Sequence, residues 1–160
     1  MEEKKAREYL QVNPQHSHRA TGLNVPPKPR NAIHSFYEEF AIRGIQVDAY
    51  QPGFISCTLI VPPHLIDRNG FLAVGAIANL VDKIGSVVLF VKDVSLNVSV
   101  DMSISYLSTA KLNDELEITA KVIGEKGAYN GAVVILKNKA TREMIAEGRH
   151  SMFCLKRSKI

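Results

Sequence analysis

Asp82 stands at the centre of the most apolar stretch of this chain, residues 71–91. A carboxylate taken out of water costs several kcal/mol unless it is hydrogen-bonded or paired, so this one is either held by neighbours or used. Partly desolvated, it is a stronger base than a solvated acid and can draw a proton from water. At about 100° per residue, Gly75, Ala78, Asn79, Asp82, Gly85 and Ser86 fall on one side of a helix. Ala73, Ile77, Leu80, Ile84, Val87 and Val91 fall on the other. The side that carries Asp82 is small as well as polar, so another backbone can approach it closely. A core helix with one satisfied acid fits the same pattern.

The stretch has the length of a membrane span, about 20 residues. Asp82 and Lys83 would both lie near mid-bilayer, at roughly 2.5–3.5 kcal/mol each, and Asn79 weakens a span further. A buried helix is expected instead.

Other elements must position that helix. Asn31 is expected to cap a first helix, with Ile33, Phe36, Tyr37 and Phe40 at helical spacing and Gly44 as its stop. A strand pair or one long strand is expected over residues 46–61, broken at Pro52 and Gly53. The loop 64–70 then leads into the apolar helix. After it, Val94, Leu96, Val98, Val100, Met102, Ile104 and Tyr106 alternate with polar residues. A period of two predicts one buried face, the other being polar or at an interface. Leu116, Ile118, Ala120 and Val122 repeat the pattern, and residues 128–137 and 143–155 supply two more strands. Such a sheet must bury one face, and the long helix alone is apolar enough to fill it. The expected class is α+β: an antiparallel sheet wrapped around a long central helix, with an additional N-terminal helix. Residues 1–30, with prolines 14, 26, 27 and 29, read as an irregular extension, and residues 31–157 as the domain.

A chain of 160 residues with 46% hydrophobic content suffices for one domain with a real core. Much of its basic excess sits at the ends, in Lys4, Lys5, Arg7, Lys156, Arg157 and Lys159. No basic helix is interleaved with aromatics, so nucleic acid is not an expected partner. The net charge of +4 suits a phosphate-bearing small molecule, though most of these lysines read first as solvated tails. Cys57 and Cys154 are isolated, which fits a reduced intracellular protein better than a disulfide scaffold. Neither has the partners of a zinc site, and nothing specifies a base for Cys154 as a nucleophile. His16 and His18 lie in the proline-rich lead-in and read as solvated. The first residues do not read as a signal peptide. Ser158-Lys159-Ile160 approximates the peroxisomal Ser-Lys-Leu address, so a cytoplasmic location is expected, with the peroxisome as the alternative.

Leu80-Val81-Asp82, the run Val98–Met102 continuing through Ser105 and Tyr106 to Ser108, and Gly148-Arg149-His150 resemble the PaaI-like acyl-CoA thioesterases of the hotdog fold. The resemblance spans roughly residues 35–155 and is closest to the small eukaryotic members. It implies hydrolysis of a fatty or aromatic acyl-CoA to free acid and coenzyme A. Coenzyme A enters as part of the substrate, with no resident cofactor and no metal. It implies that Asp82 activates water or attacks the thioester, and that Ser99 helps to position the water. Asp67 falls where the family often has an asparagine, a role Asn69 could take if the loop shifts. Ala73, Val74 and Gly75 stand where the helix start usually reads His-Gly-Gly. Asn79, Ser86, Val100, Tyr106 and Lys111 complete the expected substrate contacts, with core packing or solvent exposure as the alternative for Tyr106 and Lys111. Family members form dimers whose sites draw on both chains, often paired into tetramers, so a homodimer or dimer of dimers is expected.

The chemistry suits these places. A thioester carbonyl under attack becomes an oxyanion, and a helix start offers free N–H groups worth about 10²–10³ in rate. Such donors are backbone groups, so Val74 and Gly75 supply them whatever their side chains. Val74 and Asp82 lie about 12 Å apart along one helix at 1.5 Å per residue, so one chain cannot easily bring both to one carbonyl. Ala73 removes an imidazole and Val74 adds bulk, which implies slow turnover or altered preference. A hotdog protein that binds acyl-CoA or a protein partner without turnover is the alternative. A dehydratase would need a histidine near the helix, where the nearest is His64; a hydrogen-bonding role is expected for His150. By alternation Asp101 shares the strand face of Ser99, as a third acid or an ion-paired surface residue.

Overall fold

The computed structural model describes residues 2–11, 15, 24–29, 32, 34–89 and 96–155. The chain divides into two compact units, residues 1–37 and 38–160. In the first, helix α1 (Glu2–Leu10) forms where an irregular extension was expected. Glu, Lys, Ala and Arg are strong helix formers, and Lys4 and Glu8 pair at 3.9 Å one turn apart. Helix α2 (Phe36–Ile42) leads into the second unit. The expected cap Asn31 and the apolar Ile33 lie outside the described residues, as do His16, His18, Val91, Val94 and the last three residues.

The second unit is one antiparallel sheet against one long helix. Its strands are β1 (Gln46–Gln51), β2 (Phe54–Ile60), β3 (Leu96–Tyr106), β4 (Glu115–Lys126), β5 (Tyr129–Asn138) and β6 (Met144–Leu155). Their order is β1-β2-β4-β5-β6-β3. Helix α3 (Val74–Val88) lies between β2 and β3 in sequence and carries the chain from one side of the sheet to the far edge. On the way it packs on β2, β3, β4, β5 and β6, so the sheet wraps around it as the hotdog resemblance implies. Among the described residues no helix is long and apolar enough to cross a membrane.

The core is made where the inner faces of β2, β4 and β5 meet α3. Leu59, Leu116, Ile118, Val134 and Leu136 are fully buried with Leu80 and Val81. Each such side chain contributes about 1.5–3 kcal/mol relative to exposure. Gly148 on β6 allows the closest approach, since a Cβ there would overlap the Val81 side chain.

Two expectations about faces are corrected. The buried side of α3 is Ala76, Ile77, Leu80, Val81, Ile84, Gly85 and Val88, while Val87 is exposed. The stripe turns toward the Asp82 side because Gly85 is thin enough to lie against β5 and β6. On β3 the apolar residues Val98, Val100, Met102 and Tyr106 are exposed rather than buried. β3 is an edge strand, paired among the described residues with β6 alone.

Candidate active site

The start of α3 is set by the loop before it. A short 3-10 turn (Pro63–Leu65) is followed by an extended piece in which Ile66 bridges Leu72 and Phe71 bridges Lys111. Asp67 closes this loop on itself: its Oδ1 accepts the N–H of Asn69 at 2.8 Å and of Phe71 at 3.1 Å. Those two backbone donors hold the Asp67 carboxyl below the usual carboxylate range. Its hydrogen bonds therefore serve the loop rather than Asp82. Asn69 gives its backbone to that turn, and its side chain is exposed. Lys111 lies beside the same loop, its own N–H bonded to Asp114 Oδ2 at 2.8 Å. Ala73 is the N-cap, and no side chain of the described residues caps the helix. Val74 stands in the first turn with 64% of its surface exposed.

Two turns further along α3, Asp82 faces the junction of β3 and β6. The expectation of a buried acid is corrected: its side chain is 29% exposed. Three groups converge on it. Ser99 Oγ donates to Oδ1 at 3.3 Å, and His150 Nε2 lies 2.9 Å from Ser99 Oγ and 3.6 Å from the same Oδ1. Lys83 Nζ lies 3.3 Å from Oδ2 and only 2.6 Å from Glu38 Oε1 on α2. The two carboxylate oxygens thus have different partners: a hydroxyl backed by an imidazole on one, an ammonium shared with a second acid on the other.

The His150 side chain is wholly shielded from solvent. Burial holds its ring below the ordinary value of 6.5 and outweighs the pull of Asp82 in the other direction. Near neutral pH the ring is therefore uncharged, and its 3.6 Å approach to Asp82 is not an ion pair. His150 Nε2 and Ser99 Oγ share a hydrogen bond whose direction is set by the ring tautomer. Among the described residues Nδ1 has no partner. Gly85 makes room for this ring, since a Cβ there would lie 3.1 Å from Nδ1. His150, Ser99 and Asp82 form one hydrogen-bonded chain.

A bulge brings Ser99 to this place. The register of β3 against β6 shifts between Ser99 and Asp101, so Ser99 lies opposite Met152 while Met102 lies opposite His150. Met152 and His150 are both buried against the helix side, so the extra residue, Val100, lets Ser99 and Met102 share one face. Asp101, opposite Ser151, does not share the face of Ser99, which corrects the reading from strict alternation.

Ser86 Oγ donates back to the Asp82 carbonyl at 2.5 Å, an intrahelical bond rather than one aimed at a ligand. Asn79 is half-buried on α3, while Val100 and Tyr106 are exposed on β3. His64 bonds the Phe40 carbonyl at 3.0 Å and is taken up in holding α2. Burial pushes the Cys57 thiol up to about 11, aided by Asp48, so it remains protonated. Cys154 Sγ lies 2.7 Å from Asn130 Nδ2. The sequence singled out Asp82 and Ser99, which the fold brings together. Glu38 carried no sequence signal, because its contact with Lys83 joins helices 45 residues apart.

Known proteins match this chain in sequence and fold. The Thioesterase superfamily profile matches residues 69–128, which hold α3, Asp82 and Ser99. Human acyl-coenzyme A thioesterase 13 is 39% identical over 101 residues, covering 62% of this chain and 72% of that protein. Zebrafish thioesterase superfamily member 2 superposes with a TM-score of 0.71 at 30% identity, over 88% of this chain and 94% of that one. Its mouse counterpart superposes with a TM-score of 0.69 at 32% identity, over 76% and 89% of the two chains.

Proposed function

This chain belongs to the thioesterase superfamily, and on that premise we propose that it hydrolyses a fatty or aromatic acyl-CoA to the free acid and coenzyme A. The observation that carries the proposal is the pair Asp82 and Ser99 at a half-open position beside His150. The name of the human relative, acyl-coenzyme A thioesterase, supplies the substrate class. In the general-base form, Asp82 takes a proton from a water held by Ser99, and the resulting hydroxide adds to the thioester carbonyl. The tetrahedral intermediate expels the coenzyme A thiolate, which takes up a proton, and the acid is released. In the nucleophilic form Asp82 adds to the carbonyl itself and the coenzyme A thiolate leaves with a proton from solvent; water then cleaves the mixed anhydride, releasing the acid and restoring the Asp82 carboxylate. The chemistry proposed uses no metal or resident cofactor, and its setting is the cytoplasm.

The oxyanion donors proposed are the N–H groups of Val74 and Gly75 in a partner's helix. Within one chain Val74 and Asp82 are separated by about 12 Å of helix at 1.5 Å per residue. The exposed apolar residues Val98, Val100, Met102 and Tyr106 on the unpaired edge of β3 support a homodimer. A dimer of dimers extends the same proposal.

One observation favours a second reading, acyl-CoA binding without turnover. Lys83 lies 3.3 Å from Asp82 Oδ2, and a neutralised carboxylate is a poorer base. Thiol release from short, long and aromatic acyl-CoAs decides between them. Hydrolysis well above the Asp82→Ala control is expected; stabilisation by acyl-CoA with no thiol release would establish the second reading.

A further inference from the structure

We propose that Glu38 and Lys83 are positioning residues that set the basicity of Asp82, Glu38 acting as a rival anion that holds the Lys83 ammonium back from it. The inference rests on the general-base reading of Asp82. Neighbouring residues on a helix do not face each other, so Lys83 has no intrinsic reason to meet Asp82. Its ammonium nevertheless spans the two acids, 2.6 Å from Glu38 Oε1 and 3.3 Å from Asp82 Oδ2. Burial alone would lower the Lys83 ammonium, but the two carboxylates outweigh it and hold it above its ordinary value of 10.5. The shorter contact goes to Glu38. Asp82 is therefore left with the longer of the two contacts.

The arrangement has a chemical consequence. A cation bound to Asp82 alone would stabilise the carboxylate and weaken it as a base; a distant cation would leave it free but unheld. Glu38 sits on α2, outside the sheet and helix that build the rest of the site. The placement of α2 thus reaches the reacting carboxylate through the Lys83 ammonium. The other ionisable groups near Asp82 are His150 on β6 and, through its effect on that ring, Asp101 on β3. His150 is uncharged near neutral pH. Lys83 is then the nearest fixed charge to Asp82 among the described residues.

Removing either member moves the acid limb of the pH–rate profile, and the two move it in opposite directions. In Lys83→Met the loss of a cation raises the pH at which Asp82 ionises, so the limb shifts up. In Glu38→Gln the ammonium passes to Asp82 and a nearby negative charge is lost, so the limb shifts down. About half a pH unit each way is expected for a partly exposed pair. Lys83→Arg keeps the charge and returns the limb toward wild type. Urea midpoints show that each variant is folded, and Asp82 carboxyl titration by carbon NMR gives the same shifts without turnover. Limbs and titrations that stay put, or that move the same way in both variants, overturn the proposal. Opposite titration shifts in a protein without hydrolysis would keep the charge linkage and sink the thioesterase reading.

Discussion

At Asp82 the local balance is between a hydroxyl donor and an ammonium, and Ser99 is the member whose removal is simplest to interpret. Its Oγ makes one bond to Asp82 and one to His150, at 3.3 and 2.9 Å. A hydrogen bond to a charged group is worth about 1.5–3 kcal/mol, so Ser99→Ala is expected to lower kcat by about 10–100-fold while Asp82→Ala abolishes it. Steady-state thiol release checks both; an unchanged kcat in Ser99→Ala would remove Ser99 from the site. His150 makes a different prediction. Its folded ring binds a proton less readily than the unfolded one, so below the ordinary pKa of 6.5 the unfolded chain gains protons first. Stability from the neutral ring is complete above that pH and declines as the pH falls toward the lowered value. Urea midpoints between about pH 8 and about pH 5 are expected to fall faster for wild type than for His150→Gln. Parallel curves would show that the ring is not held neutral by the fold.

Helix α3 and strands β3 and β6 decide whether those side chains meet. Gly148 allows Val81 to seat on β6, and a methyl group placed there has no space. Gly148→Ala is expected to cost about 1–3 kcal/mol, read as a lower urea midpoint at unchanged slope. An unchanged midpoint would mean that α3 can lift without loss. These elements also show what the sequence could and could not reveal. The alternation from Leu96 to Tyr106 announces a strand, yet strict alternation sets Ser99 on the face away from Met102. The bulge at Val100 reverses that, and a bulge leaves no mark on a period of two. Helical spacing put Gly85 on the polar side of α3, but the buried stripe extends to it because His150, 65 residues further on, packs there. Asp82 was legible because an acid in an apolar run demands a reason. Glu38 was not, since an acid on a short amphipathic helix reads as solvated until the fold brings Lys83 to it.

For the molecule as a whole, the proposed reaction needs two copies. α3 runs unbroken from Val74 to Val88, so the uncapped start and Asp82 are fixed at opposite ends of its first half. A second copy docked along the β3 edge would cover apolar surface and could bring its own helix start to this carboxylate. Val74→Pro removes one N–H without breaking the helix, because proline is favoured in the first turn and Ala73 already has extended φ and ψ. Loss of that donor is expected to lower kcat by about 10²–10³. The most direct measurement is thiol release by Asp82→Asn and Val74→Pro chains, assayed separately and after co-expression. Each variant alone is expected to be nearly inactive. Random pairing gives hybrids with one intact site, so the co-expressed pair is expected to recover about a quarter of wild-type activity. A co-expressed pair no more active than its separate members would contradict a site shared between two chains.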